Sequence, residues 1–268
     1  MFVASAFRRK FSRGRRAPNP HTLNDSVFLV LVLAVGAVSG ATAAVIGFGI
    51  GSLLTPLLLT RLEPAVAIGV VALPHLVATA VRYSQHRQWI DGTILLRFGV
   101  PSAIGGLAGA LVQGALNSAA LIAVLGILLV LTGLANLSRG GGFGGWRPSP
   151  RAALAIGFVS GVFGGLAGNQ GGLRAAGLTT FNLSPRSYLA TGTAVALLID
   201  VARTPVYLVR AGPQLLALLV PILIATAGCI VGTIAGERLF LRISPERYRS
   251  VIGAAVLVLG IWLLVTSL

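Results

Sequence analysis

Long apolar stretches separated by short polar joints run along most of the chain. The long runs cover about 27–46, 64–82, 94–115, 118–137, 152–168, 187–209, 213–236 and 249–267. Two shorter ones end near residue 60 and cover about 173–182. Such lengths approach the roughly 20 apolar residues that a helix needs to cross a bilayer. The short alternating segments of a membrane barrel are absent. The pattern therefore predicts an all-α polytopic membrane protein with eight long helical segments and two short ones.

The two halves of the chain repeat. Ser39-Gly40 recurs as Ser160-Gly161, Gly47 through Gly51 as Gly168 through Gly172, and Leu62-Glu63-Pro64 as Leu183-Ser184-Pro185. All three pairs are 121 residues apart, and Pro101 matches Pro221 at an offset of 120. Internal repeats of this kind mark many secondary transporters. The expected organisation is a basic tail over 1–26 and a first transmembrane repeat over 27–138. A glycine-rich linker over 139–151 and a second repeat over 152–268 follow. Each repeat holds about five helical segments.

Both repeats carry a long apolar segment, a glycine cluster and a short apolar piece. Glycine permits backbone angles that other residues resist. Within a bilayer, an irregular backbone survives only where protein buries it or a cavity lines it. The clusters therefore predict broken helices in the bundle core, with short helices over about 52–60 and 173–182. The N-terminus of such a helix has free N–H groups and about half a positive charge, which suits an anion. Gly49 and Gly51 are candidate ligand contacts in the first break. Asn169, Gln170, Gly171 and Gly172 are the candidates in the second. Arg174 follows directly, and its guanidinium could grip an oxyanion with two parallel hydrogen bonds. Leu53 is its counterpart in the first half. Gly51 and Gly172 are expected to lie directly before the short helices, so that a side chain at Gly172 would block the anion.

Few ionisable groups fall inside the apolar runs, and such groups are costly there. Asp200 is the only acid within a predicted span. With Arg203 at i+3 it most simply forms an ion pair; the alternative is a proton-coupling carboxylate. His75, Thr79 and Arg82 fall on one helix face that could line a pathway, with Arg82 reaching the interface. His86, Arg87 and Asp91 read as solvated, and Ser39 and Ser160 as packing residues.

Charge and cysteine content narrow the function. The chain has 21 basic and 6 acidic residues, a net charge of +15, yet charged residues make up only 10% and mean hydropathy is +0.89. A soluble domain carries about 25% charged residues, so a water-soluble fold is excluded. The bases sit mostly between apolar runs, which points to lipid headgroups rather than nucleic acid. Arg8-Arg9-Lys10-Phe11 is similar to a twin-arginine export signal. However, the polar stretch 18–26 follows it, as in a cytoplasmic tail. Arginines near 82–97, 139–151 and 238–249 also favour the cytoplasm, and no topology with equal crossings per half puts all of them there. The tail sets the expected orientation, N-terminus inside. The single cysteine, Cys229, excludes an intrachain disulfide and a cysteine metal cluster. No metal motif, aspartate pair or phosphate-loop lysine is present, so neither an enzyme nor a cofactor is expected.

Three motifs carry a family resemblance. They are Gly47 through Pro56, Arg87-Gln88-Trp89-Ile90-Asp91, and Pro101-x3-Gly105-Gly106-x2-Gly109. In this order, and duplicated, the chain over about 27–268 resembles the sulfite exporter TauE/SafE family, the four-TMS sulfite/organosulfonate permeases. Ile50 stands where a third consecutive glycine is usual, and Gly177 where a proline matching Pro56 is expected. Arg174 has no counterpart in the general pattern. The resemblance implies a multi-pass transporter of the bacterial inner membrane. It would export small sulfur-containing anions such as sulfite or sulfonates. A channel or transporter for another small anion, such as a carboxylate, is the alternative, and an intramembrane enzyme a weaker one. The expected partners are the anion and the bilayer, with room for a homo-oligomer.

Overall fold

The structure, a computed structural model, describes residues 25–138, 149–240 and 245–267. The expected tail over 1–26 lies outside the described residues up to residue 24, and the expected linker over 139–151 does so for residues 139–148. Ten helices and no strands are found among the described residues. In chain order they are α1 (Ser26–Ile46), α2 (Ile50–Leu59), α3 (Pro64–His86), α4 (Gly92–Gln113) and α5 (Ser118–Leu137). Then come α6 (Pro150–Ala167), α7 (Gly171–Leu178), α8 (Pro185–Ala217), α9 (Leu219–Phe240) and α10 (Pro245–Ser267). Seven have stretches long and apolar enough to cross a bilayer, and the apolar part of α6 is slightly shorter. Large apolar side chains such as Val209, Leu216 and Leu96 project outward, as expected in lipid.

Local sequence sets most boundaries. Asp25 caps α1 by accepting from the Val27 N–H at 3.1 Å. Pro64 and Pro185 open α3 and α8, where a missing N–H costs nothing. Pro101 cannot donate to Arg97, and α4 widens into a π turn over Leu95–Gly99 just before it. One expectation fails. The runs 187–209 and 213–236 do not part at residues 210–212. Helix α8 continues to Ala217 through a kink at Ala211 (φ −122°, ψ 17°), and α9 begins at Leu219. Pro213 removes one helical hydrogen bond and bends the helix without ending it.

The halves interlock. α1 packs chiefly on α9, α6 on α4, α5 on α10, and α3 on α8. Each half thus lends its first helix to the fourth helix of the other. Glycines spaced four apart make this possible. A Cβ on Gly161 would lie 1.9 Å from the Ser102 carbonyl oxygen, and one on Gly232 1.9 Å from that of Ala37. Without a hydrophobic drive between helices in lipid, close backbone approach through small residues supplies the packing. Ser39 is fully buried, and its hydroxyl donates to the Val35 carbonyl within its own helix at 2.6 Å.

Candidate functional site

Both glycine clusters break the helix, and the breaks touch. α1 ends at Gly47 (φ 84°), and Gly49 (φ 140°) precedes α2. α6 ends at Gly168 (φ 70°), and Gln170 precedes α7. The left-handed turns at Gly47 and Gly168 are places where any other residue would be strained. A Cβ on Gly51 would meet the Gly168 carbonyl oxygen at 2.1 Å, and one on Gly171 the Phe48 Cβ at 2.1 Å. The expected starts of the short helices need correction. α2 begins at Ile50 and α7 at Gly171, so Gly51 and Gly172 lie within the first turn rather than before it. The chain has already returned to helical angles once the glycines have turned it. Neither short helix has a side-chain cap at its N-terminus.

The second break sits between two small cavities. One is lined by Gly47 and Phe48 of the first break, Gly171 and Arg174 of α7, and Tyr188 and Thr193 of α8, among others. The other is lined by Asn169, Gln170 and Gly172 with Leu128, Leu131, Thr132 and Leu173. Each measures about 20 Å³, room for about one water. The residues expected to form one anion site are therefore divided. Arg174 and Gly171 face one cavity, and Asn169, Gln170 and Gly172 the other. The cause is geometric: three residues along a helix rotate a side chain most of a turn, but residues 172 and 174 differ by about 200°. Gly172 and Gly51 also differ, since a Cβ on Gly172 would meet only Thr132, most closely its Oγ1 at 3.2 Å. Buried polar atoms without a partner cluster nearby: the amide nitrogens of Asn169 and Gln170, Gln170 Oε1, Ser52 Oγ and Thr55 Oγ1. Ser160 is more than packing. Its hydroxyl donates to the Gln170 carbonyl at 3.2 Å and ties α6 to the break.

Charges gather around the breaks. Arg82 is 3% exposed, Arg174 5%, and Asp200 and Arg203 0%. Asp200 accepts on both oxygens. Arg203 Nε donates to Oδ1 at 3.0 Å, and His75 Nδ1 lies 2.6 Å from Oδ2. Arg203 Nη2 is 2.8 Å from Oδ1, close enough for charge pairing though off the hydrogen-bonding direction. Thr79 Oγ1 lies 3.3 Å from His75 Nδ1. His75, Thr79, Asp200 and Arg203 thus form one polar cluster between α3 and α8. His86 lies 2.7 Å from Glu237 and Asp91 caps the Ile94 N–H at 2.9 Å, so both are engaged rather than simply solvated. Arg87 is exposed.

Arg82 was expected at the interface and is instead buried. Its Nη1 donates to the Ala43 carbonyl at 2.7 Å and its Nη2 to Thr193 Oγ1 at 2.7 Å. The 121-residue offset marks this residue: 82 maps onto 203, and 43 onto 164. Arg203 Nη1 donates to the Gly164 carbonyl. In each half the same carbonyl also accepts the N–H of the break glycine, Gly47 or Gly168, at 3.0 Å. A repeated arginine therefore satisfies the negative C-terminal end of the helix before each break. Arg174 does the same from α7, donating to the Gly47 carbonyl at 2.7 Å. Tyr188 steadies α7 by donating to the Ala175 carbonyl at 3.1 Å.

Among the described residues, no group of side chains is arranged to hold a metal ion. No curated protein and no solved structure matches the chain. Residues 32–263 match the family described as sulfite exporter TauE/SafE. That stretch contains both breaks and every buried charge around them, and the chain thus belongs to the sulfite exporter TauE/SafE family of membrane transporters.

Proposed function

We propose that the protein exports sulfite or a small organosulfonate across the bacterial inner membrane, binding it where the two breaks meet. One observation carries this reading. The charged side chains buried among the described residues are three arginines and one aspartate. Burying a charge without its counter-charge is expensive. An anion offsets that cost, whereas a cation adds to it. The breaks supply backbone N–H groups beside these arginines, as in transporters with discontinuous helices. The family description supports sulfite and export in particular. In the conformation described, the cavities are too small for a four-atom oxyanion, so binding requires the breaks to part. His75, partly exposed, and the buried Asp200 then offer a pair whose proton content could change with that motion.

The reading is tested by reconstituting the protein in liposomes loaded with sulfite, ethanesulfonate or acetate and measuring efflux. Protein-dependent efflux of the two sulfur anions is expected, with acetate leaving no faster than from protein-free liposomes. Efflux of acetate alone, or no efflux of either sulfur anion, would overturn it.

A further inference from the structure

The matched arginines Arg82 and Arg203 differ in one respect. Arg203 has a carboxylate one turn earlier on its own helix, Asp200, at 2.8 Å. The residue at the same place before Arg82 is Thr79, which carries no charge. Among the described residues, no carboxylate lies within ion-pair distance of Arg82. Glu237 acts on it only from further off and is itself 2.7 Å from His86. Arg174, the third buried arginine, also lacks an acid within that distance among the described residues. The excess positive charge is therefore localised. It lies on Arg82 and Arg174 and not on Arg203.

One cavity connects the two, with Arg174 in its wall and Arg82 one hydrogen bond behind it. Arg174 lines it directly, as does Thr193, whose Oγ1 accepts from Arg82. The Arg174 guanidinium has five N–H donors, and its bond to Gly47 uses one nitrogen. The Thr193 hydroxyl now donates to the Leu189 carbonyl at 2.8 Å, and it can rotate to donate to another acceptor instead. A bound oxyanion would find a charged fork on one side and a hydroxyl backed by a second arginine on the other.

We infer that the transported anion supplies, in the first half, the negative charge that Asp200 supplies in the second. It is held in this cavity by Arg174 directly and by Arg82 acting through Thr193. Arg82 is a positioning residue and Thr193 a ligand contact. The cavity on the other side of α7, at Asn169 and Gln170, lacks a cation and is not the charge-selecting site. This inference rests on the reading of the protein as an anion transporter.

The test replaces the missing charge. Thr193→Asp sets a carboxylate of nearly the same size against Arg82 and inside the cavity. Thr193→Asn keeps the size and an acceptor for Arg82 but adds no charge. Sulfite and ethanesulfonate are titrated calorimetrically against detergent-purified protein, and melting is recorded without anion. Thr193→Asp is expected to melt no lower than wild type and to bind either anion at least about thirtyfold more weakly, roughly the value of one charge-assisted bond. Thr193→Asn exchanges the hydroxyl contact for an amide and is expected to weaken binding by about threefold, well short of the loss in Thr193→Asp. A second variant guards against misfolding of the first. Arg82→Gln keeps a donor for Ala43 but loses the charge. It should weaken the sulfite dianion, at alkaline pH, about tenfold more than the ethanesulfonate monoanion, because Coulomb attraction scales with ligand charge. A purely structural role for Arg82 would weaken both equally. Equal loss in Arg82→Gln, wild-type affinity in Thr193→Asp, or equal losses in Thr193→Asp and Thr193→Asn would each overturn the inference alone. Wild-type protein that binds neither sulfur anion would overturn it together with the functional reading.

Discussion

The first and second halves of this transporter use one backbone device with two sets of side chains. In both, a long helix ends at a left-handed glycine, and an arginine donates to the carbonyl four residues before that glycine, 39 positions back along the chain. Around the first break the side chains are largely apolar: Phe48, Ile50 and Leu53. Around the second they are Asn169, Gly171 and Arg174. One turn before the arginine stands Thr79 in the first half and Asp200 in the second. The comparison separates two demands. Breaking a helix inside a bilayer requires that its end carbonyls be satisfied, and both halves meet this in the same way. Selecting a charged ligand requires an imbalance, and only the differences between the halves provide one.

The sharpest way to break the comparison is to remove the acid that distinguishes the second half. Asp200→Ala leaves Arg203 buried without a counter-charge and His75 without its partner. It is expected to cost about 3–5 kcal/mol, seen as a large fall in melting temperature in detergent. A variant that melts like wild type would mean that Arg203 needs no carboxylate, and the contrast with Arg82 would lose its meaning.

The next largest effect compares matched glycines. Gly51→Ala forces a methyl group against the Gly168 backbone oxygen, whereas Gly172→Ala meets a side-chain hydroxyl at 3.2 Å. Overpacking against backbone should cost about 1–3 kcal/mol or more at Gly51, and under about 1 kcal/mol at Gly172. Melting curves of the two variants check this. Equal losses would show that the breaks pack alike after all.

Arg174→Leu installs the residue found at the matching position, Leu53. The loss of a charged hydrogen-bond donor, about 1.5–3 kcal/mol, predicts sulfite binding ten- to a hundredfold weaker. Unaltered titration would remove Arg174 from the site. The smallest effect is expected at Thr79→Val, which removes only the 3.3 Å approach to His75. It should shift stability by under about 1 kcal/mol and leave sulfite efflux unchanged. A loss comparable with that of Asp200→Ala would mean that the two matched positions carry similar weight.

The chain's apolar run lengths determined the all-helical membrane fold, and the 121-residue offset marked both breaks. These are local properties. The length of an apolar run and the freedom of a glycine backbone do not depend on what packs against them. Which side chains meet is a different matter. Arg82 bonds residues 39 and 111 positions away, and Arg174 one 127 positions away. In a membrane helix both the buried and the lipid-facing sides are apolar, so the sequence pattern carries little sign of which face turns inward. Only the tertiary structure decided that the halves exchange helices, that His75 joins Asp200 and that Arg82 is buried beside Thr193. It also decided that Arg174 faces away from Asn169 and Gln170. Each outcome is set by the rotation of a helix about its own axis, and close backbone contact at glycines fixes that rotation.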